Sequence, residues 1–158
     1  MRLLSSLTLA LGLLAAGAGT ANAEPIFSAR LRGNVANQSI AGFPSSRVTW
    51  DIERGRVSLV RFGEGQAVVV IRTQGLIIPA LGRNPSPDLL ARLVCHDAAG
   101  APSEAARTRA VPFHEDGDAT LIDVVAVPGD CFAPIVLLTG SRDPDGNQPG
   151  NWFAVSGF

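Results

Sequence analysis

The sequence predicts an all-β fold, a sandwich or barrel of short strands, on three observations. Apolar residues recur in short runs, and several runs alternate strictly with polar residues, the period of a strand with one buried face. Seventeen glycines and eleven prolines, many beside Asp, Asn or Ser, interrupt the runs at roughly 8 to 12 residue spacing, the rhythm of strands joined by tight turns. No apolar pattern of helical period persists beyond a turn or two; only Asp88 to Leu93 is compatible with a single helical turn.

The first segment stands apart. Met1 and Arg2 give a positive start, Leu3 to Ala16 is apolar, and Ala21-Asn22-Ala23 is a small-x-small cleavage site before Glu24 and Pro25. This is the pattern of a secretory signal peptide over residues 1–23, and no transmembrane span is expected once it is removed. Its apolar stretch is too short for a membrane anchor and is followed by small residues rather than a cationic stop. The exported chain is then 24–158, a length that suits a single β domain with its own core. Its 12 arginines (the chain's 13 cations less Arg2) face 14 acidic residues, a net charge of −2. Without a basic stripe interleaved with aromatics, nucleic acid is not an expected partner.

Taken in order, Ile26 to Arg32 reads as an edge strand and 33–46, rich in Asn, Ser, Gly and Pro, as a loop. Val48, Trp50 and Ile52 alternate with polar neighbours, which predicts a half-buried strand over Arg47 to Glu53 with Trp50 in the core. Arg54-Gly55 turns the chain into a strand from Arg56 to Phe62. Gly63-Glu64-Gly65 turns it again into Gln66 to Thr73, whose unbroken Val68 to Ile71 suggests cover on both faces. A short apolar segment, Leu76 to Pro79, and the turn-forming Arg83 to Pro87 precede the first cysteine.

Around Cys95, strand alternation sends Leu93, Cys95 and Asp97 to one side and Val94 and His96 to the other. Ala105 to Val111 and Ala119 to Val127 are expected to form a hairpin about Glu115-Asp116-Gly117-Asp118, where Asp-Gly supplies the positive φ of a tight reversal. Cys131 opens a strand over Ile135 to Thr139. A polar loop leads to the last strand, Trp152 to Ser156, with Phe153 and Val155 on the core side. In an oxidising compartment two cysteines have one possible pairing, so Cys95 and Cys131 are expected to form a disulfide. A catalytic or metal-binding thiol is the alternative, but there is no CxxC, no cluster at zinc spacing and no base beside either cysteine.

The order LVC, a turn about DGDA, P-x-x-C-x-A-P-x-V and a terminal WFAVSGF resembles a group of exported bacterial proteins of unknown function with immunoglobulin-like sandwiches. The resemblance covers the C-terminal half and, more loosely, the strands from Trp50 onward. It implies an immunoglobulin-like antiparallel β-sandwich of about 7–9 short strands with a Cys95–Cys131 bridge, and no activity.

No catalytic constellation is legible. There is no G-x-S-x-G, and Ser141 follows an apolar run without a histidine at recognisable spacing. His96 and His114, the two histidines, each adjoin an acid and could at most form a two-histidine metal site across adjacent strands. Asp143-Pro144-Asp145-Gly146-Asn147 has alternating oxygens like a calcium loop, with Asp143, Asp145 and Asn147 as ligands, but its glycine is misplaced and no later acid follows. No cofactor site is expected. The reading is an exported, periplasmic or secreted, non-catalytic protein that binds or supports an envelope or extracellular partner, itself unspecified. A small secreted hydrolase or metal-binding protein is the alternative. An outer-membrane β-barrel is a third, suggested by the terminal aromatic and opposed by the prolines and the missing tyrosines.

Overall fold

The computed structural model describes residues 23–143 and 148–157. Of the expected signal peptide only Ala23 falls among them, and of the calcium-like loop Asp145 and Asn147 lie outside them. The described chain forms eleven strands: β1 Glu24–Gly33, β2 Ser39–Ile40, β3 Phe43–Pro44, β4 Arg54–Arg61, β5 Gln66–Gln74, β6 Asp88–His96, β7 Pro102–Arg107, β8 Val111–Pro112, β9 Ala119–Ala126, β10 Phe132–Ser141 and β11 Pro149–Ser156. Every strand pairing is antiparallel, and no helix occurs among the described residues.

Hydrogen bonding joins nine strands into one sheet in the order β7-β6-β10-β11-β1-β4-β5-β9, with β8 also beside β6, while β2 and β3 form a separate hairpin. The long first strand is the joint. Its residues from Glu24 to Arg30 pair with β4, and Leu31 to Gly33 pair with β11. The strand can lie this close to the following loop because Gly33 lacks a side chain: a Cβ there would collide with the Trp50 carbonyl. The sheet curls until β9 approaches β7 and β8, giving a nearly closed, barrel-like wall without a ladder at the seam. Cys95 and Cys131 are disulfide-bonded, with Cα atoms 4.9 Å apart, tying the end of β6 to the start of β10.

Several sequence expectations are corrected. The first strand is interior to the sheet, since both of its edges are paired in succession. Asp88 to Leu93 is strand, paired with β10 on one side and with β7 and β8 on the other. Arg47 to Glu53 is not a strand, and Val48 is exposed. Its backbone is held largely by one side chain, the buried Asn34 amide, which donates to the carbonyls of Ser46 and Val48 and whose Oδ1 accepts from the Trp50 N–H, while Asp51 makes a single antiparallel bridge to Ile77. Trp50 is nevertheless core, stacked 4.4 Å from Phe153.

The expected hairpin across Gly117 has its turn but not its ladder. Gly117 adopts φ 84° and donates its N–H to His114, yet the arm before the turn pairs with β6 and the arm after it with β5. Val68 to Ile71 is covered on one face only: Val69 and Ile71 are buried while Val68 and Val70 are partly exposed. In β11, Phe153 lies in the main core, but register irregularities against β10 place Val155 with Trp152 in a second cluster.

The main core fills the enclosed side of the curled sheet, where Val57, Leu59, Ile71 and Leu121 meet Leu93, Val136 and Leu138. Each such side chain contributes about 1.5–3 kcal/mol through removal from water. A smaller core lies on the outside, where Ile40 and Phe43 of the β2–β3 hairpin cover Val94, Leu137, Trp152 and Val155. Trp152 donates its indole N–H to the Phe43 carbonyl at 2.8 Å, and the Arg92 guanidinium sits 4.3 Å over the Phe43 ring.

Candidate functional site

An open cleft of about 1080 Å³ lies at the end of the curled sheet where β1, β4 and β5 approach the turn that follows β8. Arg30, Arg54, Arg56 and Arg72 line it together with Glu53, His114 and Asp118. Three of the arginines form a row. Arg30 lies opposite Arg56, and Arg56 lies opposite Arg72, so directly paired residues on three neighbouring strands send guanidinium groups to the same exposed face. Their neighbours Leu31, Val57 and Ile71 point inward and are buried, which fixes the arginines outward by strand alternation.

None of these four arginines makes an ion pair among the described residues; the ion pairs there use Arg83, Arg92, Arg107 and Arg109. Like charges directly opposite one another destabilise a sheet. The row is therefore a place where an anion would relieve repulsion as well as gain charge-assisted hydrogen bonds. Linear inspection missed it because the arginines are separated in sequence and the chain's net charge is negative. A signal was present: Arg56 and Arg72 lie equally far on either side of Glu64, the centre of the Gly63-Glu64-Gly65 turn, and such symmetry makes hairpin residues partners.

The residues singled out from sequence are dispersed. His114 enters the cleft, but its imidazole makes no hydrogen bond there, and the Asp118 carboxylate is engaged by the Gly75 N–H at 3.0 Å. His96 sits at the far end of β6 with Nδ1 buried and unpartnered. The β8 arm leading to His114 pairs Pro112 with Asp88, eight residues along β6 from His96, so more than about 25 Å of strand separates the two histidines' positions and a shared metal site is not formed. Ser141 donates its hydroxyl to Asp88 Oδ2 at 2.6 Å, with no histidine among its partners. Asp143 accepts the Gln148 N–H at 2.8 Å within its own loop. Among the described residues no three His, Cys, Asp or Glu side chains are grouped to hold a metal ion.

The acidic turn is used in folding. Asp116 Oδ1 accepts the Asp118 N–H at 3.0 Å, Glu115 pairs with Arg83 at 3.2 Å, and the Gly117 carbonyl receives both the Leu76 N–H and the Thr73 hydroxyl. Comparison with known proteins finds no match: no family model, no curated protein and no solved structure corresponds to this chain.

Proposed function

We propose that this is an exported, non-catalytic binding protein of the cell envelope or extracellular space, and that its arginine-lined cleft receives an anionic ligand. One observation carries the reading: Arg30, Arg56 and Arg72 are aligned side by side, exposed and without acidic partners, at the wall of a cleft large enough for a small molecule. Export is supported by the amino-terminal pattern over residues 1–23 and by a disulfide, which persists in oxidising compartments. The immunoglobulin-like sandwich belongs to the same proposal. Its support is the packing of the β1–β4–β5–β9 ladder face to face with the β11–β10–β6–β7 ladder around one core, with the bridge beside it.

A small hydrolase is the second reading, and its one supporting observation is that His114 and Asp118 line the same cleft. What speaks against an outer-membrane barrel is that the enclosed side is filled with apolar side chains while arginines face outward, the reverse of a lipid-facing wall. Titration calorimetry with phosphate, sulfate and citrate tests the proposal. Binding that weakens with salt and is lost in Arg56→Ala is expected. Ester or glycoside turnover that disappears in His114→Ala would replace it with the hydrolase.

A further inference from the structure

The arginine row has a neighbour on the same face. Moving along the strands by two residues, the next outward row is Ser28, Ser58, Val70 and Ile122, apolar on β5 and β9; two further on are Val68, with Val60 and Val124 as its partners. Ile122 and Val124 are 60% and 52% exposed and lie beside Val70 and Val68, so the band is contiguous rather than scattered. Steps of two residues are about 7 Å, so this face passes from a cationic row to a β-branched apolar band within roughly 14 Å. No outward-facing residue of β4, β5 or β9 is acidic, and none is aromatic.

We infer that the outer face of β1, β4, β5 and β9 docks on the surface of a bilayer containing anionic phospholipid, with Arg30, Arg56 and Arg72 at the headgroup phosphates and Ile122 and Val124 at the acyl boundary. Both halves of the face are needed for this assignment. A second copy docked face to face would set its own arginine row against this one, with no outward carboxylate on its β4, β5 or β9 to neutralise it. A nucleic acid would find no ring on which to stack a base. An anionic bilayer supplies phosphates and hydrocarbon at adjacent depths, and each arginine near such a surface strengthens attachment about fivefold. The inference rests on the reading of the row as anion-binding and adds the apolar band to it.

Co-sedimentation of the purified protein with vesicles of phosphatidylethanolamine and phosphatidylglycerol, against vesicles of phosphatidylcholine alone, tests it. The anionic vesicles should be bound and the neutral ones not, with the attachment weakening as salt is raised. Arg56→Ala with Arg72→Ala should reduce attachment by about twenty-fivefold, fivefold for each charge. Ile122→Thr with Val124→Thr should also weaken it, while leaving uptake of soluble glycerol phosphate unchanged and the fold intact by circular dichroism, since threonine keeps the β-branched shape a strand favours and both positions already face solvent. Absence of binding to anionic vesicles overturns the inference, and the reading of the row as an anion site survives alone if glycerol phosphate is still taken up. Vesicle binding indifferent to Ile122 and Val124, or preference for an oligonucleotide or acidic peptide over vesicles at equal salt, overturns it as well.

Discussion

Asp123 of β9 closes the seam of the curled sheet by accepting from Arg109, which lies between β7 and β8. The Arg109 backbone N–H donates to Asp123 Oδ2 at 2.7 Å, its guanidinium donates to Oδ1 at 3.0 Å, and the Val124 N–H donates to Oδ1 at 2.9 Å. The β9 edge has no strand partner on this side, and an open edge invites pairing with other chains. One carboxylate thus occupies donors that a missing ladder leaves free on both sides of the gap.

Asp123→Ala should leave the Arg109 and Val124 N–H groups without this acceptor and destabilise the protein by about 1–3 kcal/mol, measurable by urea unfolding. The pH dependence has a definite sign. Burial alone pushes the Asp123 carboxyl up, but the hydrogen bonds from Arg109 and Val124, with the guanidinium charge, outweigh it and hold the pKa below the ordinary 3.8. A carboxylate depressed on folding contributes fully above its unfolded value and loses that contribution as pH falls through the folded one. Wild type should therefore lose stability from about pH 4 downward more steeply than Asp123→Asn. Equal acid limbs for the two proteins would show that the seam does not depend on the charge.

The Cys95–Cys131 bridge joins neighbouring strands across a sequence separation of 36. The chain-entropy model gives about 4 kcal/mol for a loop of that size. Thiol titration of the denatured, unreduced protein should find no free cysteine, and Cys95→Ala should lower the melting temperature by several degrees. Two reactive thiols in freshly purified exported material would contradict the structure.

Gly117 should not tolerate alanine. Its φ of 84° lies in the left-handed region, and a Cβ there would meet the Leu76 backbone, whose N–H bonds the Gly117 carbonyl. The conformational cost alone is about 1–2 kcal/mol, and the collision adds to it by separating the Gly117 carbonyl from the Thr73 hydroxyl and the Leu76 N–H. Gly117→Ala is expected to be among the most destabilising small substitutions, whereas Gly63→Ala, also at positive φ but in open space, should cost only the conformational part.

What could be read from sequence, and what could not, divides along a physical line. Period-two alternation identifies strands and faces from local information, so β4, β5, β9, β10 and β11 were visible. The pairing of two cysteines needed no geometry. Register and partner choice depend on contacts between distant segments, and there the local signal misleads. The turn at Gly117 is correctly placed, but its arms join β6 and β5 rather than each other, a choice set by contacts with distant strands. The alternation of Val48, Trp50 and Ile52 is genuine, yet the Asn34 side chain takes the hydrogen bonds of Ser46, Val48 and Trp50 and only Asp51 bridges another segment. The arginine row follows from register alone: no window of sequence contains Arg30, Arg56 and Arg72 together.

Arg56 makes the row testable without a ligand. It is flanked by Arg30 and Arg72 at paired positions, and replacing the middle charge removes both repulsions at once. In low salt Arg56→Ala should raise stability by up to about 1 kcal/mol, and the gain should fade in high salt as screening shortens the reach of each charge. Melting curves at two ionic strengths suffice. A loss of stability independent of salt would mean that the aliphatic stem of Arg56 packs on the sheet and that repulsion across the row is negligible.

The last strand is the most exacting test of the topology, because β11 lies between β10 and β1 rather than at an edge. Phe153 belongs to the main core, stacked on Trp50 and 6.0 Å from Phe113, while Trp152 belongs to the outer core and anchors the β2–β3 hairpin through Phe43. Adjacent residues thus face opposite cores, and the two substitutions should have different signatures. Phe153→Ala should cost about 3–5 kcal/mol and lower global stability throughout the sheet. Trp152→Ala should cost a similar amount, but it should in addition free the hairpin, so that hydrogen exchange at Ser45 and Ser46, whose amides are held by Gln38 and Trp152 carbonyls, rises before the sheet opens. Removing residues 152–158 altogether separates β1 from β10 and exposes two unpaired edges, so the shortened protein should aggregate, given a total stability of roughly 5–15 kcal/mol for a domain. A soluble truncated chain with the wild-type circular dichroism and melting temperature would place the strand outside the sheet and refute the order β10-β11-β1.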